Sequence, residues 1–438
     1  MSKYYEQLLP KFIAKKSIST DPKFKKYCEE TAEWLVELFS SHGFTTALWP
    51  GVNTNPTVFA SYEVDPGLPT ILVYGHYDVQ PADKQDGWQE DPFSVRESDT
   101  HYYARGIIDN KGQVLIHIAN VLEHIEANTL GYNVKFLIEG NEESGNTELP
   151  GLVAEHVSEL ACDAVLVSDG QIIGQTPLIE CSLRGGGNLR ITLCTATNDL
   201  HSGIYGGAVP SASETLVSLL SRLHDENNRV TIPDFYEGVA EIDKETINKH
   251  KAILSDEMAS NNASVKQLLT PNNTDFLSQT GLQPALMISG VASGYVGTGF
   301  KNIVPATAEA RINIRTVIGQ NTDDILELVA TYLKNNAPSY ATVEVEIESH
   351  GDPIELSSEN QIFSNVSNLL SDAFQEEPIP HFVGGSIPII ADLQKTLQKP
   401  IMSIPLANED CNMHGVEENF SKAVLEKGMV FSRNFWRG

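Results

Sequence analysis

Histidines and carboxylates recur in this chain directly after short apolar runs, and those residue types in that placement fit metal-assisted hydrolysis. Residues 70–74 run into Gly75-His76-Tyr77-Asp78, residues 134–138 into Glu139-Gly140-Asn141-Glu142-Glu143-Ser144-Gly145, and residues 164–167 into Ser168-Asp169-Gly170. A fourth run at 400–404 leads toward Asn412-Met413-His414-Gly415, and the loop Gly106-Ile107-Ile108-Asp109-Asn110-Lys111-Gly112 presents another carboxylate between the first two. The period of two in an extended chain puts His76 and Asp78 on one side, so one can bind a cation while the other steadies it. Two His and several carboxylates suit Zn²⁺ or Mn²⁺, and the lack of thiolate ligands argues against a structural zinc cage. A pair of metals about 3.5 to 4 Å apart needs about five ligand groups including one bridge. His76, Asp109, Glu143, Asp169 and His414 supply that number.

Taken one at a time, these residues have ordinary roles: Asp78 could cap a helix, Asp169 before Gly170 could make a turn, and residues 106–112 could be a plain loop. Their joint placement is what points to a site. The apolar runs have two apolar faces and a helical pattern such as 113–126 between them, which predicts a largely parallel sheet; open sheets of that kind bind ligands at the carboxyl ends of their strands. An N-terminal helix is expected over 22–43, where apolar residues fall at helical spacing and Gly43 supplies the stop.

The middle of the chain has another grammar. Strands at 188–195, 285–291, 306–317 and 342–349 alternate with helices at 211–224 and 323–334, giving the β-α-β-β-α-β order of a ferredoxin-like sandwich. A polar, Asn- and Ser-rich insertion at 233–283 is expected to be partly helical and surface-lying. The organisation predicted is therefore an α/β domain built from 1–178 and 356–438, with an α+β domain, 179–355, inserted in it.

Composition sets the outer limits. The 438 residues allow two or three domains at about 150 residues each. A net charge of −28, from 58 acidic against 30 basic residues, repels polyanions and argues against nucleic acid as a partner. No stretch reaches membrane-spanning length, and Met1 to Ala14 lacks the apolar core of a signal peptide. The five cysteines show no C-x-x-C spacing, so reduced thiols in a cytoplasmic protein are the simplest reading. No G-x-S-x-G elbow follows a strand, which weakens a serine-hydrolase reading.

At the motif residues the chain resembles the aminoacylase and carnosinase family of two-metal peptidases, more narrowly its dipeptidase branch, typified by cytosolic non-specific dipeptidase and peptidase V. Gly75-His76-Tyr77-Asp78-Val79-Gln80-Pro81 looks like the family's first motif and Arg105 to Gly112 its second, with residues 139–145 and Ser168-Asp169 as the third and fourth. The resemblance covers nearly the whole chain. It implies a zinc-exopeptidase-like catalytic domain carrying a ferredoxin-like lid and dimerisation domain, and two divalent metal ions, zinc first, with manganese or cobalt also accepted by such ligands. His76 and Asp169 would hold one metal, Glu143 and His414 the other, and Asp109 would bridge. Asp78 would orient His76, and Glu142 would be the general base.

In the inserted domain, Leu200 to Gly207 resembles the lid motif whose histidine, here His201, stabilises the oxyanion, often from the partner subunit of a dimer. Asn302 and Arg315 match positions that bind the substrate's carbonyl region and free carboxylate; an arginine fork donates two parallel hydrogen bonds to such a group. Gly384-Gly385-Ser386 matches a further substrate-binding turn. One departure is the run Gly415-Val416-Glu417-Glu418 after His414, where the family usually has a small or polar run ending in Glu; only the terminal Glu418 is kept. The expected activity is hydrolysis of dipeptides or short peptides with a free C-terminal carboxylate, by a homodimer paired through the inserted domain. An N-acyl-amino-acid amidohydrolase of the aminoacylase, succinyl-diaminopimelate desuccinylase or acetylornithine deacetylase type is the alternative, and a non-catalytic metal-binding protein on the same scaffold the second.

Overall fold

The computed structural model describes residues 2–271, 274–356, 361–385 and 388–438. The chain divides into two units, one formed by Met1–Cys181, Leu356–His381 and Ile389–Gly438, the other by Ser182–Glu355 and Phe382–Pro388. The return segment expected to belong wholly to the first unit is therefore interrupted. Residues 382–388 group with the second because Arg184 grips them: its backbone N–H donates to Val383 O and its Nε–H to Gly384 O, each at 3.1 Å.

The first unit is built on a mixed sheet. Its strands β1 (Thr45–Trp49), β2 (Thr57–Tyr62), β3 (Thr70–His76), β4 (Asn133–Glu139), β5 (Ala164–Val167) and β6 (Leu178–Leu183) join the strand Ile401–Ser403 in the order β1-β2-β4-β3-β5-(Ile401–Ser403)-β6. The four central strands, β4, β3, β5 and Ile401–Ser403, are parallel, as their doubly apolar faces predict. The flanks are antiparallel, which narrows the expectation of a largely parallel sheet to its centre. Phe136 in β4 lies against Phe39 and Phe44, with ring centroids 4.9 and 6.1 Å away, and all three are buried.

Helix α1 (Lys3–Ile13) starts at Ser2, whose hydroxyl accepts from Tyr5 N–H. Helix α2 (Lys25–Ser41) follows a short turn capped by Asp21 and ends before Gly43, whose φ of +87° suits glycine alone among common residues. Helix α3 (Lys111–Ala127) is buried without a break from Lys111 to Leu122, because α1, the strands and the C-terminal helix Lys422–Arg437 pack against it. A helix enclosed in this way shows little amphipathic pattern and holds the loop before it in place.

In the second unit, β7 (Gly185–Cys194), helix α4 (Ala212–Leu220), β8 (Ala285–Ser293), β9 (Thr307–Thr316), helix α5 (Thr322–Asn336) and β10 (Thr342–Gly351) form the expected β-α-β-β-α-β unit. The sheet is antiparallel in the order β8-β9-β7-β10. Alternation puts Leu189, Ile191 and Leu193 on the face that meets Leu216 and Leu219 of α4 and Leu326, Val329 and Leu333 of α5. The polar insertion contributes the short helices Lys244–Ile253, Asp256–Asn262 and Phe276–Gly281. All five cysteines are free, and no helix among the described residues is long and apolar enough to cross a membrane.

Candidate metal centre

His76 is the last residue of β3 and Asp78 follows it in the same extended path, both fully buried. The imidazole Nδ1 lies 3.3 Å from Asp78 Oδ1 and 3.1 Å from the Asp78 carbonyl oxygen, so this end of the ring faces the protein and Nε2 faces outward. The two Asp78 oxygens also accept the backbone N–H groups of Glu142 and Glu143, at 3.2 and 3.1 Å. One carboxylate thus orients the ring and fixes the single turn Glu142–Ser144 after β4.

Four side chains gather around Asp109. Its Oδ1 is 3.1 Å from His76 Nε2, and its Oδ2 is 2.8 Å from His414 Nε2. Asp169 Oδ2 lies 3.6 Å from His76 Nε2, and Glu143 Oε2 lies 3.3 Å from His414 Nε2. Two ligand groups result, His76-Asp109-Asp169 and Asp109-Glu143-His414, each with its ligand atoms within 4.8 Å of one another. Asp109 belongs to both, one oxygen to each.

The charges fit cations. Burial alone would lower the His76 pKa, yet hydrogen bonds to Asp109 and Asp78 drive it well above the usual histidine range. Hydrogen bonds to Asp109 and Glu143 lift His414 to about 10. Burial opposes ionisation of Asp109, but the two imidazoles overcome it and hold the carboxyl below its ordinary range. Asp169 is pushed well upward, first by burial. Three carboxylates around two imidazoles demand positive charge, and Glu143 Oε1 is buried with no hydrogen-bond partner among the described residues. Hard oxygen and imidazole donors in two overlapping triads suit a pair of divalent ions. Glu142 stands beside them, its pKa raised to about 7, chiefly by burial.

Several supporting residues carry no signal of their own in the sequence. Gln80 Nε2 donates to Glu143 Oε2 at 2.8 Å. Asn110 Nδ2 donates to Ser168 O at 2.7 Å, and its Oδ1 accepts from His76 N at 3.4 Å, linking the loops of three candidate ligands. Glu417, the unexpected residue after His414, accepts from Gln89 N at 2.8 Å and pairs with Arg96, so the altered run is held by its own partners. Gln80 and Asn110 lie inside the quoted motifs, and only their neighbours' chemistry would have singled them out.

The remaining candidates belong to the second unit. His201 pairs with Ile303 in a short two-stranded ladder, and Asn302 O accepts from Ser202 N at 3.1 Å, so His201 and Asn302 come from adjoining segments. His201 Nδ1 accepts from Gly203 N at 3.0 Å, which assigns the proton to Nε2 on an exposed ring. Arg315 lies in β9, directly across from Gly186. Burial and the positive charge of Arg315 lower Arg184 to about 10. Gly385 is exposed; Ser386 lies outside the described residues.

The family model described as Peptidase family M20/M25/M40 matches residues 72–437. The Cys-Gly metallodipeptidase DUG1 of Candida albicans is 30% identical over 455 residues, covering 94% of this chain and 91% of its own. Human carnosine dipeptidase 1 superposes with a TM-score of 0.82 at 27% identity, covering 99% of this chain and 95% of that one. The metallo-carboxypeptidase Sso-CP2 from Sulfolobus solfataricus gives 0.86 at 26% identity, covering 100% and 99%.

Proposed function

Since the chain belongs to peptidase family M20/M25/M40, we propose that it is a two-metal dipeptidase, with zinc as the favoured ion and manganese or cobalt accepted by the same ligands. The observation that carries this reading is the Asp109 carboxylate shared between two imidazoles, with Glu142 alongside. His76 and Asp169 would hold one ion, Glu143 and His414 the other, and Asp109 both. When bound, such ions polarise a carbonyl and make water acidic enough to attack at neutral pH. Asp78 keeps the His76 ring turned outward for this purpose.

Glu142 accepts the proton of the attacking water and returns it to the departing amine; a group near neutrality does both jobs well. Its carboxylate has no hydrogen bond among the described residues, which suits a group that must serve both positions. His201, with its proton on Nε2, suits the developing oxyanion, and Arg315 the C-terminal carboxylate of the substrate. Asn302 and the Gly385 turn would complete the substrate contacts. The relatives named for Cys-Gly and carnosine hydrolysis support short, unblocked peptides as substrates, and the free thiols suit a reducing cytoplasm.

A substrate panel tests this. Purified protein loaded with zinc should cleave Cys-Gly and β-Ala-His and leave N-acetyl amino acids and dipeptide amides almost untouched. Turnover of N-acetyl amino acids with all unblocked dipeptides inert would replace the reading with the amidohydrolase one. Failure to bind metal would sink both.

A further inference from the structure

Two ligands of the centre, Asp109 and His414, lie on loops 305 residues apart in the chain, and a buried ion pair fastens those loops together. Glu418, fully buried, accepts from Arg105 Nη1 at 2.6 Å and from Gly106 N at 3.0 Å on one oxygen. Its other oxygen accepts from Ile108 N at 3.0 Å and Asp109 N at 3.3 Å. Arg105 Nη2 then reaches across and donates to the carbonyl oxygens of His414 and Gly415, at 3.0 and 3.1 Å. The planar guanidinium makes these contacts together, one amino group on Glu418 and the other on the His414 and Gly415 carbonyls, which an ammonium at the same place could not.

The loop so held does not keep its shape unaided. Asn412, His414 and Glu417 all adopt left-handed φ values, +54°, +59° and +59°, which L-residues rarely occupy unless their surroundings impose them. The His414 side chain is also 53% exposed, whereas those of His76, Asp109, Asp169 and Glu143 are at most 9% exposed. His76 and Asp169 need no such clamp: one ends β3, the other follows two residues after β5, and the sheet itself holds both.

We propose that Arg105 is a positioning residue that sets the affinity of one metal position only, the one completed by His414, and so decides whether the centre holds two ions or one. This rests on the two-metal reading above. Glu418 orders the Asp109 loop, which serves both positions, whereas the Arg105 contacts to the His414 and Gly415 carbonyls serve the His414 position alone.

Zinc titration by calorimetry, with metal content measured after dialysis, reads the effect directly. The wild-type protein is expected to bind two equivalents. Arg105→Lys keeps a cation against Glu418 but cannot also reach the His414 and Gly415 carbonyls. It should weaken one equivalent by roughly 10- to 100-fold, the range for losing an outer contact to a ligand, and leave the other unchanged. Arg105→Gln, which leaves Glu418 its bonds to the backbone N–H groups of the Asp109 loop, should show the same selective loss even if the lysine variant folds poorly. Glu97→Gln, altering the exposed ion pair with Lys422, should keep both equivalents. A general loosening of the fold would weaken both equivalents together, and that result, or unchanged affinity in both Arg105 variants, overturns the proposal. A wild-type protein that binds a single equivalent overturns the two-metal reading instead.

Discussion

Glu142 is the side chain on which turnover should depend most and binding least. It is adjacent to a candidate ligand, yet it is anchored through its backbone, the N–H donating to Asp78 and the carbonyl oxygen accepting from Gly145 N. Glu142→Gln keeps the shape and the Asp78 contact while removing the proton carrier. We expect zinc content to stay at the wild-type value and kcat on Cys-Gly to fall by roughly 10³-fold, within the range for general acid–base groups. A second carboxyl makes a prediction about stability. Glu180 is buried and accepts from Ser403 Oγ, and burial pushes its pKa to about 7. The folded pKa exceeds the unfolded one, so the contribution is complete below about pH 4.5 and is lost as pH rises through 7. Urea unfolding at pH 5 and pH 8 should show Glu180→Gln sparing the protein a loss on the order of 3 kcal/mol that the wild type suffers. Equal pH dependence in the two proteins would show that Glu180 ionises freely.

At the scale of elements, the loop carrying Asp109 is set by how closely α3 starts behind it. Gly112 in the first turn of α3 approaches the preceding loop so tightly that a Cβ there would lie 1.8 Å from Ile107 O. Backbone, unlike a flexible side chain, cannot step aside cheaply. Gly112→Ala should therefore cost at least about 1 to 3 kcal/mol, the usual penalty of overpacking, measured as a lower urea midpoint. It should also weaken zinc binding, because Asp109 serves both ligand groups. The strands that aim the ligands were readable because β3 and β5 are apolar on both faces. Strands β1 and β2 were not: β1 is an edge strand with little burial before Trp49, and Thr57 and Ser61 interrupt the apolar pattern of β2. Helix α1 escaped notice for a related reason, since its buried Leu8, Leu9, Phe12 and Ile13 are interspersed with charges and Pro10.

For the whole molecule, a charge of −28 favours solubility and leaves self-association to surfaces that are apolar. The second unit has one: edge strand β8 exposes Met287, Ile288 and Val291 to 41%, 40% and 54%, and Val217 on α4 is 59% exposed. An uncovered edge with an apolar face is a liability that a symmetric partner removes. We propose that two copies pair here, and that His201 serves the partner's centre. Sedimentation should find a dimer for the wild type and a monomer for Val291→Lys, with activity falling along with the dimer. A fully active monomer would remove both parts of the proposal.

The sequence by itself determined the kinds of candidate ligand, their order along the chain and the strand ends on which most of them sit. Those features are written in residue type and in periods of two and 3.6, which are local. It also carried the β-α-β-β-α-β order of the second unit, because each face there alternates cleanly. From the residues alone, nothing distinguished a bridging carboxylate from a terminal one; family resemblance supplied that role as an implication. Tertiary structure decided that Asp109 stands between His76 and His414, that Asp78 ties two strands' ends together, and that Arg105 and Glu418 join loops from opposite ends of the chain. Such meetings depend on how buried helices and strands pack, and no local period encodes the distance between residues hundreds of positions apart.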